Sequence, residues 1–538
     1  MDSVDQVQTS ITQVPTVSSL GLCDLNFTQI NCQRNINADS FTQGVMDFQW
    51  NISGQQRWSP SRSFFRARLH IESADGLGTR PSYEDDITIA EDVMNQLFSN
   101  IYCYIGNVNV SSLTQFVGQA SMIKARLGST YSYLQSIGKG AFFLDPDFQS
   151  RQRKTSVDGV TQSLSNNTVT STLDKTQLGF EVTDYVTLSN TGLFLEFHED
   201  AGGGNPIDVT PILLDGDFIN INGLTWQISD VDEFVVGRVY IKPAPTSRTE
   251  GFFRTTTNFD LVDWDLDWCI TRTVIAYNPL DGHGNIEVCF KPPVGLFSTD
   301  SAIPAGSFRI SMFPKSNLSA GLESNLTDEQ GNWELRVDSM YFYAAIFKDP
   351  QPFNDGAYYL NMDEMNIQTK KLSQGASQNS FNFTLPSSTL GIALFSQSND
   401  AGVNTLVPTS RFLSEDKSNL GLNHIQVTYG NVSKPLTDYD SSFTNSTNYI
   451  TQRWLDTQIH SELYSLSCET LEDYLVRGVM TYFSFLRSAE NRSTEAQVTI
   501  TYDNLTGDNN IFIASVYRTL CKIQIQSGFV TEVQTLNL

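Results

Sequence analysis

Two stretches decide how this chain folds: KPPVGLFSTDSAIPAGSFRISMFP, Lys291 to Pro314, and WELRVDSMYFYAAIF, Trp333 to Phe347. The first reads as a prolyl turn, a loop and an alternating strand. Phe308, Ile310 and Met312 fall on one side of that strand, Arg309 and Ser311 on the other. Period-two alternation is the mark of a sheet with one buried face. The second stretch reads as a longer strand. A similar arrangement recurs near the C-terminus, and residues 478 to 526 are expected to be its counterpart.

The same grammar extends outward in both directions. Met46, Phe48 and Trp50 alternate with Asp47 and Gln49. After Ser59-Pro60, Phe65, Ala67, Leu69 and Ile71 share one strand face and Arg66, Arg68 and His70 the other. Helical spacing predicts helices over Ala90 to Ile101 and Phe116 to Ile137, flanking a strand over Tyr102 to Val110. Asp145 to Lys175 reads as a long exposed polar loop. Asp217 to Ile228 predicts a hairpin turning at Asn222-Gly223, residues suited to positive φ. Strands are expected over Phe234 to Lys242, Trp264 to Tyr277 and Gly284 to Phe290. DPQPFNDG, Asp349 to Gly356, reads as a linker. Beyond it, strands are expected over Tyr358 to Ile367, Phe381 to Phe395, Ile425 to Tyr429, Gly478 to Arg487, Ala496 to Asp503 and Ile511 to Gln526. A helix is expected over Thr451 to Leu466 and a short one from Thr470, where Asp473 completes a capping box. Two halves with many strands and no short repeat fit two consecutive β-sandwiches.

Composition agrees. The 538 residues are 40% hydrophobic, 11% aromatic and only 17% charged, with Asn, Gln, Ser and Thr making up much of the rest. That balance suits strands and loops more than long helices. The net charge of −25 argues against direct nucleic-acid binding by the surface as a whole. The basic cluster Arg151-Gln152-Arg153-Lys154 reads as a solvated loop. The seven cysteines, Cys23, Cys32, Cys103, Cys269, Cys289, Cys468 and Cys521, are odd in number and lack metal spacing. Cys289 and Cys521 lie in apolar strand patterns, where a reduced thiol acts as a small hydrophobe. Residues 1 to 40 are polar and weakly patterned and read as an arm, with no signal peptide expected. No apolar run is long enough for a membrane helix. The sequons at Asn26, Asn51, Asn109, Asn166, Asn317, Asn325, Asn382, Asn431, Asn445, Asn491 and Asn504 are expected to be unmodified.

Four places carry a family likeness: DFQWNISGQQRWSPSRSFFRARLHI from Asp47, the Lys291 to Pro314 stretch, EDYLVRGVMTYFSF from Glu472, and VYRTLCKIQIQSGFVTEV from Val516. Together they resemble the double jelly-roll major capsid proteins, especially those of Polinton-like viruses and virophages. The resemblance implies an all-β chain of two consecutive antiparallel eight-stranded jelly rolls with a few short helices. Its expected divisions are an arm at 1–40, a first jelly roll with long loop insertions at 41–350 and a second at 351–538. It implies a homotrimer, a capsomer of hexagonal outline tiling an icosahedral shell around DNA, beside penton and minor capsid proteins. It places the chain in the virion, with Asp145 to Lys175 and Asn399 to Leu422 as tower or inter-subunit loops.

No enzyme and no cofactor are expected. The histidines, His70, His198, His283, His424 and His460, are dispersed, without paired ligand spacing. His198-Glu199-Asp200 before a glycine run reads as a polar turn. Gly138-Lys139-Gly140 is too short to cradle phosphate, and no P-loop, dinucleotide or nucleophile-elbow motif is present. One weak metal candidate stands out. Asp263, Asp265 and Asp267 alternate with Trp264, Leu266 and Trp268, so three carboxylates would line one strand face, as calcium prefers. Two other classes fit a β-sandwich protein. A carbohydrate-binding adhesin or fibre would use the aromatics of WDLDW. A glycoside hydrolase would need two carboxylates facing across a cleft.

Overall fold

A computed structural model describes residues 25–52, 56–81, 87–129, 137–141, 161–165, 168–174, 185–188, 194–199, 205–210, 213, 217–221, 224–232, 235–243, 268–274, 285–299, 301–323, 332–348, 355–372, 378–386, 388–398, 424–429, 432–434, 450–461, 471, 474, 480–485, 495–501 and 509–537. The chain opens with β1 (Leu25–Asn31), β2 (Met46–Ile52), β3 (Gln56–Ser73), the short β4 (Thr88–Ile89), β5 (Phe98–Ile105) and β6 (Val108–Thr114). An insertion follows with β7 (Thr161–Ser165), β8 (Thr168–Asp174), β9 (Tyr185–Leu188), β10 (Phe194–His198), β11 (Phe218–Ile221), β12 (Leu224–Val231), β13 (Arg238–Pro243) and β14 (Trp268–Val274). Then come β15 (Ile286–Phe290), β16 (Gly306–Pro314), β17 (Leu322–Glu323) and β18 (Trp333–Lys348). The last third holds β19 (Gly356–Leu372), β20 (Gln378–Thr384), β21 (Thr389–Ser398), β22 (His424–Tyr429), β23 (Val432–Lys434), β24 (Met480–Ser484), β25 (Glu495–Thr501), β26 (Asn509–Gln526) and β27 (Phe529–Asn537). Helices α1 (Val93–Gln96), α2 (Val117–Gly128) and α3 (Ile450–Ser461) lie between strands.

Strand order reveals the architecture. One antiparallel sheet runs β1-β18-β3-β15 and a second runs β2-β16-β5-β6. Counted along the chain without the β4–β17 ribbon and the insertion, these eight strands lie in the orders 1-8-3-6 and 2-7-4-5. That is a jelly roll, two Greek keys folded into facing sheets. Residues from 356 repeat it: β19-β26-β21-β24 faces β20-β25-β22-β23, again 1-8-3-6 and 2-7-4-5. β27 adds a further strand to β26.

The alternation read from the sequence sets which faces meet. Phe65, Ala67, Leu69 and Ile71 of β3 are all fully buried, as are Phe308, Ile310 and Met312 of β16. Between the first pair of sheets the core is aromatic. Trp50 lies 4.9 Å from Trp58 and from Phe342, while Phe65 lies 4.7 Å from Phe342. Pro60 cannot donate to a ladder, and it falls where β3 bulges away from β18. Ser63 repairs that gap. Its hydroxyl donates to the Ser59 carbonyl and accepts from Trp58 Nε1 at 2.9 Å and the Ala345 amide at 2.9 Å. The second roll has its own core, with Ile392, Leu394, Val427, Phe483, Val498 and Ile513 among its buried residues.

Contacts divide the chain into two compact units. Residues 1–79, 87–146 and 285–538 form one, containing both jelly rolls, and residues 80–86 and 147–284 form the other. The second unit is an eight-stranded antiparallel sheet in the order β7-β8-β14-β11-β12-β13-β10-β9. Leu195, Phe197, Ile219, Trp226, Ile228 and Val239 form its core. The β11–β12 ladder runs to Ile221↔Leu224, so the two strands pair as the expected hairpin requires, while Asn222 and Gly223 lie outside the described residues.

Several expectations are corrected. The helix expected over Ala90 to Ile101 is only the single turn α1, and β5 takes over at Phe98. Val93, Leu97 and Ile101 are all fully buried, so helical spacing could not separate a helix from a turn followed by a core strand. The polar loop expected over Asp145 to Lys175 contains the β7–β8 hairpin, built from Thr-rich sequence with high β-propensity. Leu25–Asn31, inside the expected arm, pairs along its full length with β18. Phe381 to Phe395 is two strands, β20 and β21, parted around Pro386. Cys521 is buried, whereas Cys289 sits on the exposed face of β15. Most of the Asp349–Gly356 linker and the capping-box residues Thr470 and Asp473 lie outside the described residues.

Candidate functional site: the seam between the jelly rolls

The stretch Lys291 to Thr299 opens the connection between the sixth and seventh strands of the first roll. Its prolines hold it extended until a 3-10 turn at Gly295–Ser298. Phe297 anchors that turn in the aromatic core, 6.1 Å from Phe342 and 6.4 Å from Phe65. Anchoring leaves the Gly295 amide facing the second roll and the Leu296 amide facing Ser111 of β6. In the second roll Leu360, Met362 and Glu364 alternate on one buried face of β19. Glu364 Oε2 accepts from the Gly295 amide at 3.3 Å, and Oε1 accepts from the Ser111 hydroxyl. Ser111 Oγ in turn accepts from the Leu296 amide at 3.1 Å. One buried carboxylate of the second roll thus ties together a strand and a loop of the first.

Other contacts extend the seam. Gln119 of α2 donates to Gln397 Oε1 at 3.1 Å, both side chains being buried. The Phe116 and Phe512 rings meet edge-on at 5.2 Å, and Arg126 lies 5.4 Å from the centre of the Tyr474 ring. The Val530 amide donates to the Ala305 carbonyl at 3.0 Å, joining the start of β27 to the first roll. On the other face of β19, Asp363 pairs with Arg518 at 3.0 Å.

Burial governs the electrostatics. It pushes the Glu364 carboxyl up, against the Ser111 hydrogen bond, the Lys124 charge and the Gly295 amide, while the Asp363 charge adds to the rise. Burial pushes Lys124 down, opposed by Glu364 and Asp363. Tyr517 is pushed up to about 12, first by burial and then by the Glu364 charge.

The seam borders a cavity of about 750 Å³ whose walls include Phe64, Phe290, Pro292, Pro293 and Phe297. Its polar lining includes Asp92, Asn95, Ser121, Lys124 and Asp363. Asp92 is buried, and desolvation raises its carboxyl to about 7 despite hydrogen bonds from Ser121 and Asn95.

The candidates singled out in the sequence fare differently. Asp263, Asp265 and Asp267 lie outside the described residues, as does Asp200. Glu199 is described, and its amide donates to the Asn205 carbonyl at 2.9 Å. Among the described residues, no group of three or more His, Cys, Asp or Glu is placed to hold a metal. The seam residues Ser111, Lys124, Gly295 and Glu364 were not foreseen. The available signal was Glu364 itself, a carboxylate on the apolar stripe of an alternating strand.

Gly295 offers a direct test of the seam. A β-carbon there would stand 2.6 Å from Glu364 Oε1 and 2.9 Å from the Asp363 carbonyl oxygen, which is main chain. Gly295→Ala is therefore expected to cost about 1–3 kcal/mol, read as a lower melting temperature of the full chain.

Two complete jelly rolls in tandem, joined along this seam, make this a double jelly-roll protein. No protein-family model and no curated protein matches the chain. Among solved structures it is similar to the mavirus major capsid protein, at 8% identity and TM-score 0.41, covering 95% of this chain and 90% of that one. It is also similar to a chain of the Sputnik virophage, at 11% identity and TM-score 0.45, covering 95% and 89%. The Faustovirus major capsid protein matches at 10% identity and TM-score 0.44, covering 94% and 91%. The fold assignment rests on strand order in the chain itself.

Proposed function

We propose that this chain is a viral major capsid protein with a structural, non-enzymatic role. The tandem topology carries the reading: one chain supplies two jelly rolls of the same strand order, locked side by side. Three such chains about a threefold axis would present six jelly rolls, a hexagonal outline suited to tiling an icosahedral shell around DNA. The four sequence stretches resembling that lineage support it. In this reading the partners are further copies of the chain, then penton and minor capsid proteins, and the location is the virion. The working divisions are a first jelly roll that opens at β1 and carries the insertion, and a second jelly roll from residue 356. The acidic total leaves genome neutralisation to other components.

Light scattering and negative-stain imaging of the purified chain test this. The expected particle has three times the 60.1 kDa chain mass and a hexagonal outline. A protein that stays monomeric at every concentration and salt would overturn the reading. One observation favours a second, carbohydrate-binding role for the insertion. Phe194 and Tyr240, with ring centres 6.0 Å apart, sit beside the Arg238–Glu196 ion pair on a part-exposed sheet face. Binding on a glycan array, lost on Tyr240→Ala, would support that role.

A further inference from the structure

The floor of the seam cavity has an unbalanced set of oxygens. Asp92, at the head of α1, is 1% exposed and holds a left-handed conformation at φ 50°. Non-glycine residues held there are uncommon and persist only when their surroundings fix them. The one charge acting on Asp92 among the described residues is Glu91, of the same sign. A buried carboxylate with no counter-charge is costly.

Asn95, also 1% exposed, sits beside it. Its Nδ2 lies 3.0 Å from both Asp92 carboxylate oxygens, 3.0 Å from the Lys291 carbonyl oxygen and 3.1 Å from Ser121 Oγ. An amide nitrogen carries two hydrogens and cannot serve four acceptors. Asn95 Oδ1, meanwhile, has no hydrogen-bond partner. Turning the amide over exchanges Nδ2 and Oδ1, and then five oxygens converge on one another. The first orientation strands Oδ1 in a buried place, and the second is balanced only by a cation among these oxygens. The lysines on the cavity wall are turned elsewhere: Lys291 Nζ donates to the Ser61 carbonyl and Lys124 Nζ lies 3.5 Å from Ser298 Oγ.

We propose that this floor is a calcium site, formed by the Asp92 carboxylate, the Asn95 amide oxygen, the Ser121 hydroxyl and the Lys291 main-chain carbonyl. A carboxylate mixed with amide, hydroxyl and main-chain oxygens suits Ca²⁺, which tolerates irregular geometry, better than Mg²⁺, which demands a near-ideal octahedron. The donors come from α1, α2 and the loop that carries Gly295. Binding would therefore brace the loop that clasps Glu364.

The test uses the full chain, stripped with EGTA and titrated with Ca²⁺ or Mg²⁺, followed by calorimetry and melting temperature. Ca²⁺ is expected to release binding heat and raise the melting temperature. Asp92→Asn keeps the shape and tolerates the left-handed backbone, and should weaken Ca²⁺ binding by about tenfold or more. Asn95→Asp adds a charged ligand and should tighten Ca²⁺ binding. A wild-type chain whose melting temperature and heat ignore Ca²⁺, with Asp92→Asn as stable or more so, would overturn the site and leave Asp92 a neutral buried acid. A larger response to Mg²⁺ would overturn the calcium assignment.

Discussion

Trp58→Ala is expected to lower the melting temperature of the jelly-roll unit by roughly 5 °C, a loss of about 3–5 kcal/mol. Trp58 is 1% exposed and touches both sheets of the first roll through Trp50, Phe308 and Phe342. Its Nε1 also donates to the Ser63 hydroxyl that spans the β3 bulge. Truncation therefore opens a cavity and loosens the repair of the β3–β18 ladder. Trp58→Phe should lose less, because an aromatic ring still fills part of the space, although the hydrogen bond and some packing go. The measurement is tryptophan fluorescence during heating, since a chain with more than one compact unit has no single unfolding free energy. A shift of under about 3 °C for the alanine variant would contradict the central place given to this ring.

Glu364 should produce the second large effect. Glu364→Ala removes the partner of the Ser111 hydroxyl and the Gly295 amide and leaves the desolvated Lys124 charge less compensated. Losing one side of such a buried set costs about 3–5 kcal/mol. Glu364→Gln keeps the shape and part of the hydrogen bonding and should cost less. The pH dependence has a definite sign. Burial raises the folded carboxyl above its ordinary 4.5, so the native state holds this proton more tightly than the unfolded chain. Its contribution is fully present below 4.5 and is lost as pH rises through the higher native value. Comparing wild-type and Glu364→Gln melting temperatures from pH 4 upward isolates it: the wild-type protein should lose ground to the variant as pH rises. Parallel profiles would remove Glu364 from the account.

The sandwich faces were legible because alternation survives wherever one face is buried. Phe308, Ile310 and Met312, or Phe65, Ala67, Leu69 and Ile71, name their own inward side. The likeness between the Lys291–Phe347 stretch and residues 478 to 526 also has a structural basis. β16 and β18 are the seventh and eighth strands of the first roll, β25 and β26 those of the second. The turn before β5 was not legible, because Val93, Leu97 and Ile101 satisfy both periods once all are buried. The insertion sheet was obscured by its polar β-formers: TQSLS and TVTSTLD look like a loop until paired. The seam was hidden for another reason. Ser111, Gly295 and Glu364 are far apart in sequence, and none of them is unusual alone. Only a long-range fold brings them together, and a single sequence carries no trace of that meeting beyond one acid on an apolar stripe.

The insertion has a practical consequence. Residues 147–284, which share a compact unit with residues 80–86, carry a core of their own and lie in the chain between the fifth and sixth strands of the first roll. Phe297, Trp58 and Glu364 all belong to the other unit, with the jelly rolls. The segment is therefore a natural cassette. Changes of sequence and length there are expected to be tolerated better than changes in the jelly-roll strands, because they act on a separate core.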